Sequence, residues 1–155
     1  DLDTDGTTIK SKTTGTVNVT VSETNLDPVT VDDVSTVIED TTSNKLSVLS
    51  NDTDPNGDTL TLSSVSAASY GTATLAGNNI TYDPDANFAG TETLSYVVSD
   101  GNGGSKTGTV TITVKSVNDA PTANDDELGS VSTGKGAIKL DVLANDIDID
   151  VGDSI

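Results

Sequence analysis

The sequence predicts an all-β protein, built as two-sheet sandwiches repeated along the chain. Three observations carry this. Thr109-Val-Thr-Ile-Thr-Val114 alternates strictly between polar and apolar side chains, and so does Thr16-Val-Asn-Val-Thr-Val21. Strict alternation over six residues marks a strand with one face buried. Whole segments also recur at a fixed spacing, and no stretch joins helical periodicity to capping residues. The composition alone leans towards disorder, with 32 % hydrophobic residues, 3 % aromatic residues and a formal charge of -18. The strand patterning decides against that reading, because Thr, Val and Ile suit a pleated, half-buried surface.

The repeat sets the organisation of the chain. Lys45-Leu-Ser-Val-Leu-Ser-Asn-Asp52 returns 94 positions later as Lys139-Leu-Asp-Val-Leu-Ala-Asn-Asp146. Thr14-Gly-Thr-Val-Asn-Val-Thr-Val21 returns 93 positions later as Thr107-Gly-Thr-Val-Thr-Ile-Thr-Val114. Pro28 and Asp32-Asp33 return as Pro121 and Asp125-Asp126. The expected units are the tail of one repeat at 1–24, a complete repeat at 25–118 and the head of a third at 119–155. The sequence therefore reads as a window onto a longer tandem array.

Seven strands are expected in the complete repeat. The first spans about 29–38, behind Pro28. The second, about 45–50, turns Leu46 and Val48 inward. The Asn56-Gly57 turn leads to a third at about 59–65, with Leu60 and Leu62 inward. Strands at about 71–75 and 79–82 flank Gly77-Asn78 and contribute Leu75, Ile80 and Tyr82. Pro84 and Gly90 precede a sixth at about 91–98, with Leu94, Tyr96 and Val98 inward. Gly101-Asn-Gly-Gly104 turns into the last, about 107–115, carrying Val110, Ile112 and Val114. Seven short strands in one repeat predict an Ig-like Greek-key β-sandwich. Its core is thin for its size, so bound ions would add stability by mass action.

Composition excludes several functions. There is no Cys and no His, hence no disulfide, no common zinc ligand and no Ser–His–Asp or Cys–His nucleophile of the usual kind. All seven basic residues are Lys, against 21 Asp and 4 Glu, so there is no basic footprint for nucleic acid. No apolar run is long enough for a membrane helix. Asp83 and Asp85 form a carboxylate pair of the kind glycosidases use, but no aromatic platform accompanies them. The expectation is a non-enzyme.

The aspartates gather at turns. Asp52-Thr-Asp-Pro-Asn-Gly-Asp58 reads D-x-D-x-N-G-D, Asp1-Leu-Asp-Thr-Asp-Gly6 reads D-x-D-x-D-G, and Asp146-Ile-Asp-Ile-Asp150 repeats the first half. Alternate oxygen donors with a glycine for the tight turn wrap a hard cation such as calcium. These are not EF-hands: Ser63 and Lys12 stand where the bidentate Glu would be. Each site therefore needs ligands from elsewhere, and strand direction supplies them. One end of the sandwich is expected to gather Asp32, Asp33, Asp52, Asp54, Asp58 and Asp100. The other offers Glu39, Asp40, Asp83 and Asp85 to Asp119, Asp125, Asp126, Asn145, Asp146, Asp148 and Asp153 of the next repeat. A divalent cation at such a junction would neutralise the charge and lock neighbouring repeats together. Asx-turn capping is the competing reading, and for Asp83, Asp85 and Asp141 it accounts for the residues equally well.

Val117-Asn-Asp-Ala-Pro121 resembles the linker of cadherins and bacterial cadherin-like repeats. Val48-Leu-Ser-Asn-Asp-Thr-Asp-Pro-Asn-Gly-Asp-Thr-Leu60 and the stretch from Thr81-Tyr-Asp-Pro-Asp to Val98-Ser-Asp-Gly101 resemble the bacterial repeats in particular. The resemblance implies Ig- or cadherin-like repeats of large secreted or cell-surface calcium-binding adhesins of the RTX or biofilm type. Such arrays are calcium-stiffened extenders that hold a distal surface- or glycan-binding domain away from the cell. By the same resemblance, Glu39, Asp52, Asp54, Asp58, Asp100, Asn118 and Asp119 are the calcium positions. The sequence departs from the pattern in two places. The first linker reads Thr24-Asn-Leu-Asp-Pro28, and the third repeat has Thr133-Gly-Lys-Gly where the second has Ile38-Glu39-Asp40. Two other classes remain open. One is a carbohydrate- or ice-binding module using the Thr-rich faces; the other is a filament subunit whose strand completes a neighbouring copy. The expected partners are neighbouring repeats and, in the filament reading, other copies.

Overall fold

The computed structural model describes residues 22–127, 129, 134, 136 and 139–150. The repeat strand at 14–21, the Asp1–Gly6 loop and Asp153 lie outside the described residues.

All seven expected strands form: β1 (Asp33–Ile38), β2 (Asn44–Leu46), β3 (Thr61–Val65), β4 (Gly71–Ala76), β5 (Asn79–Pro84), β6 (Gly90–Ser99) and β7 (Ser105–Lys115). No helix occurs among the described residues. One sheet has the order β1-β7-β6-β3 and the other β2-β5-β4, the crossed connectivity of an Ig-like sandwich. β1 runs parallel to β7, with Asp33 opposite Val110 and Val37 opposite Val114. The β6–β7 hairpin is the longest pairing, in continuous register from Gly90↔Val114 to Ser99↔Ser105. A bulge between Leu62 and Ser64 bends β3 against β6. Gly77 opens the two-residue turn between β4 and β5 with φ +60, the left-handed value a II′ hairpin requires at that position.

Alternation places the core as expected, with two exceptions. Leu46, Val48, Leu62, Ile80, Tyr82, Leu94, Tyr96, Val98, Val110, Ile112 and Val114 are buried. Leu60 packs at its edge. Leu75 is instead 39 % exposed, because it sits beside the hairpin turn on edge strand β4, with no neighbour on its far side. Val37 completes the core from β1. The first strand is shorter than expected. Pro28 has no N–H to give, and Val29 makes only an isolated bridge to Thr53, through bonds of 2.8 and 3.0 Å.

Strand direction puts the loops at 47–60, 77–78 and 100–104 at one end, here the upper, beside the incoming linker. The loops at 39–43, 66–70 and 85–89 lie at the lower end, where the chain leaves towards residue 119.

Candidate metal centres at the ends of the sandwich

Each linker is clasped to an aspartate loop by the same set of bonds, once per repeat. At the upper end, Val31 N–H donates to Asp52 Oδ1 at 2.8 Å. Leu26 N–H donates to Asn56 Oδ1 at 2.8 Å, and Asn56 N–H donates to Asp54 Oδ1 at 2.8 Å. In the next repeat, Asn124 N–H donates to Asp146 Oδ1 at 2.8 Å. Asp119 N–H donates to Asp150 Oδ2 at 2.6 Å, and Asp150 N–H to Asp148 Oδ1 at 2.9 Å. The Val29–Thr53 bridge returns as Thr122–Ile147. The repeat seen in the residues is thus a repeat of local structure. It aligns Asp150 with Asn56 and Asp119 with Leu26.

The upper end brings Asp54, Asp58 and Asp100 together, with one carboxylate oxygen of each within 4.8 Å of the others. Asp100 is positioned by the β6–β7 turn. Its Oδ1 accepts from Asn102 N–H at 2.8 Å and Gly104 N–H at 3.0 Å. Its Oδ2 accepts from Asn25 Nδ2 at 2.7 Å. The Asn25 bond, helped by the two amides, holds the Asp100 carboxyl below its ordinary range against the opposing effect of burial. Gly104 makes room for this, since a Cβ there would lie 2.2 Å from Asp100 Oδ2. Asp54 spends Oδ1 on its own loop, while its Oδ2 is buried without a hydrogen-bond partner. Such an orphaned acceptor is costly unless something positive meets it.

The lower end brings Glu39 together with the segment at 119–150, whose motifs repeat those at 26–56. Glu39, at the exit of β1, is buried and accepts from Val117 N–H at 2.7 Å. Its carboxylate gathers with those of Asp119 and Asp150. Asp119 Oδ2 is buried and unpartnered. Burial, followed by the charges of Asp40, Asp150, Glu39 and Asp148, pushes the Asp119 carboxyl above its usual range. Glu39, Asn87, Ser116, Asn118 and Asp150 line a cavity of about 500 Å³ here. Both ends therefore offer oxygen donors alone, and each group includes one carboxylate with a buried, unsatisfied oxygen. That donor chemistry fits a hard divalent cation.

The other sequence candidates lie outside these two groups. Asp52 and Asp33 meet at the Tyr96 hydroxyl, which donates to Asp33 Oδ2 at 2.8 Å and lies 3.4 Å from Asp52 Oδ2. Burial and the nearby Asp52 and Asp32 raise the Asp33 carboxyl, while the Tyr96 bond opposes them. Asp32 accepts from Thr109 Oγ1 at 2.7 Å. Asp146 and Asp148 serve the clasp, and Asp125 and Asp126 are exposed. Asp83 accepts from Ser43 N–H and Asp40 from Asn87 N–H, so both hold the lower loops together. Asp150 stands in the alternating Asp146–Asp150 run but not among the residues expected to meet at the junction. Glu92 was also missed. It stands at an inward position of β6 and accepts from Ser69 and Tyr70 N–H at 2.7 and 2.8 Å, fixing the loop before β4.

A family model described as a bacterial Ig domain matches residues 25–113. The chain belongs to the bacterial Ig domain family. Domains of this family are commonly extracellular or at the cell surface and are typically non-catalytic. No helix among the described residues is long and apolar enough to cross a membrane. No curated protein matches the sequence. Two solved structures of an endo-fucoidan hydrolase from glycoside hydrolase family 107, one of them a variant, are similar at 24 % and 21 % identity, with TM-scores of 0.43 and 0.38. They cover 62 % and 59 % of this chain, which spans only 16 % and 14 % of theirs. At that likeness they say nothing about its activity.

Proposed function

We propose that this bacterial Ig-like chain is a calcium-stiffened spacer of a secreted or surface-displayed protein of the adhesin or biofilm type. The observation that carries the reading is the lower junction. There Glu39 of one repeat and Asp119 and Asp150 of the next converge, with Asp119 Oδ2 buried and unpaired. Without a cation these carboxylates repel, and the two sides are joined by the backbone at Asn118–Asp119, where Asn118 Nδ2 donates to Asp119 O at 2.8 Å. Calcium would join them through ligands from both sides, turning a hinge into a strut. Asp54, Asp58 and Asp100 would hold a second ion within one repeat, reinforcing its upper loops.

The test is thermal unfolding of the chain in chelator and in excess calcium chloride. An ion present at a hundred times its Kd stabilises the folded state by about 2.7 kcal/mol. For a domain of this size that is a Tm rise of roughly 10–20 °C. Asp119→Asn should remove part of the rise and, in chelator, leave the protein no less stable than wild type, since one repelling charge is gone. A Tm that ignores calcium would sink the proposal.

A further inference from the structure

The chain holds two Asn–Gly pairs, Asn56-Gly57 and Asn102-Gly103, and both asparagines line one cavity at the upper end with Glu23, Asn25 and Asp58. Asn–Gly is the dipeptide most prone to cyclise, because glycine has no Cβ to obstruct its own amide. The two pairs differ in what holds them. Asn56 is clamped on both sides of its carboxamide: Oδ1 accepts from Leu26 N–H at 2.8 Å and Nδ2 donates to Thr24 O at 3.2 Å. The Gly57 amide is engaged too, donating to Asp54 O at 3.1 Å. At the hairpin tip the amides of Asn102 and Gly104 both donate to Asp100 Oδ1, and Gly103 N–H stands between them. Among the described residues, neither that amide nor the Asn102 carboxamide has a hydrogen-bond partner, and both residues are exposed. Gly103 also has φ +106, a conformation that L side chains rarely adopt.

We propose that Asn102 is a self-modifying site, converted to a carboxylate in the folded protein while Asn56 is protected. Gly103 N gives up its proton to base and attacks Asn102 Cγ, forming a succinimide. The side-chain nitrogen leaves as ammonia, and water reopens the ring at either carbonyl to give aspartate or isoaspartate. Each event adds a negative charge to the rim of the Asp54, Asp58 and Asp100 group. The chemical step stands independently of the calcium reading; its effect on ion binding rests on that reading.

The experiment is peptide mapping of the intact folded chain after incubation at mildly alkaline pH in isotopically labelled water. The expected result is label incorporation at Asn102 many-fold faster than at Asn56, with the two rates converging in urea, where the clasp is gone. Asn87, followed by the bulky Phe88, serves as the slow reference. No conversion at Asn102 above that reference, or equal conversion at Asn102 and Asn56 in the folded chain, would overturn the proposal. Calcium titration of Asn102→Asp isolates the consequence. Tighter binding than wild type by several-fold supports the coupling to the acidic group, and equal affinity removes it while leaving the mapping result intact.

Discussion

Gly108→Ala tests whether the buried ring of Tyr96 is pinned between the sheets. Gly108 lies directly across the β6–β7 ladder from Tyr96. A methyl at residue 108 would lie 2.5 Å from Tyr96 Cζ, 2.6 Å from its hydroxyl oxygen and 2.8 Å from Cε2. Favourable carbon contacts begin near ~3.5 Å. The ring has nowhere to go: it is 0 % exposed, and its hydroxyl is anchored to Asp33 at 2.8 Å. Overpacking of this kind costs about 1–3 kcal/mol. If the ring yields, its bond to a carboxylate is lost as well, a further ~1.5–3 kcal/mol. The narrower unfolded ensemble of alanine returns only about 0.4–1 kcal/mol. When the ring yields, the balance is a loss of roughly 1.5–5.5 kcal/mol, a large part of the ~5–15 kcal/mol a domain has. Urea unfolding followed by circular dichroism should show a lower midpoint at unchanged slope. In a Tyr96→Leu background, which clears the space, the same alanine should cost nothing further. A loss below about 0.5 kcal/mol, or equal losses in both backgrounds, would refute the pinning.

Three more outcomes follow from the same structure. Glu92→Ala leaves the Ser69 and Tyr70 amides without their acceptor and should cost about 1–3 kcal/mol in urea unfolding, with Glu92→Gln costing less because an acceptor oxygen remains; equal costs would mean the charge, not the acceptor, matters. Burial, then Glu92 and Asp85, pushes the Tyr82 phenol from 10.0 up to about 12, and Tyr96 moves the same way, burial again first. The folded chain thus keeps protons that the unfolded chain releases, so this contribution is complete below pH 10 and is lost as pH rises towards 12. Urea midpoints that stay level across that window, with phenolate absorbance developing before unfolding, would contradict it. Gly104→Ala should drive Asp100 off its amides and away from Asn25, lowering the calcium stoichiometry seen by calorimetry while sparing the Glu39–Asp119 junction; an unchanged stoichiometry would remove Asp100 from the ion site.

The strands and most of the core were legible in the residues because a pleated strand turns alternate side chains to opposite faces. Thr107–Val114 and Thr91–Val98 needed nothing else. Leu75 obeyed the same alternation and still ended outside, since alternation names a face and not whether another element covers it. The aspartate loops were legible as loops, and their spacing as oxygen-rich. Which way each carboxylate points was not. Asp52, Asp54 and Asp58 share one motif, yet Asp52 turns inward to Val31 N–H and Tyr96 while the other two face Asp100. That division depends on a tyrosine 44 residues away and on a hairpin whose amides hold Asp100 in place. The sequence by itself determined the repeat, the sandwich and the oxygen-only chemistry, because these follow from local pattern and composition. Only the tertiary structure decided which carboxylates meet and that Asp54 and Asp119 each keep an oxygen buried and unpaired. Those depend on strand direction and on contacts between segments distant in the chain, which no local spacing encodes.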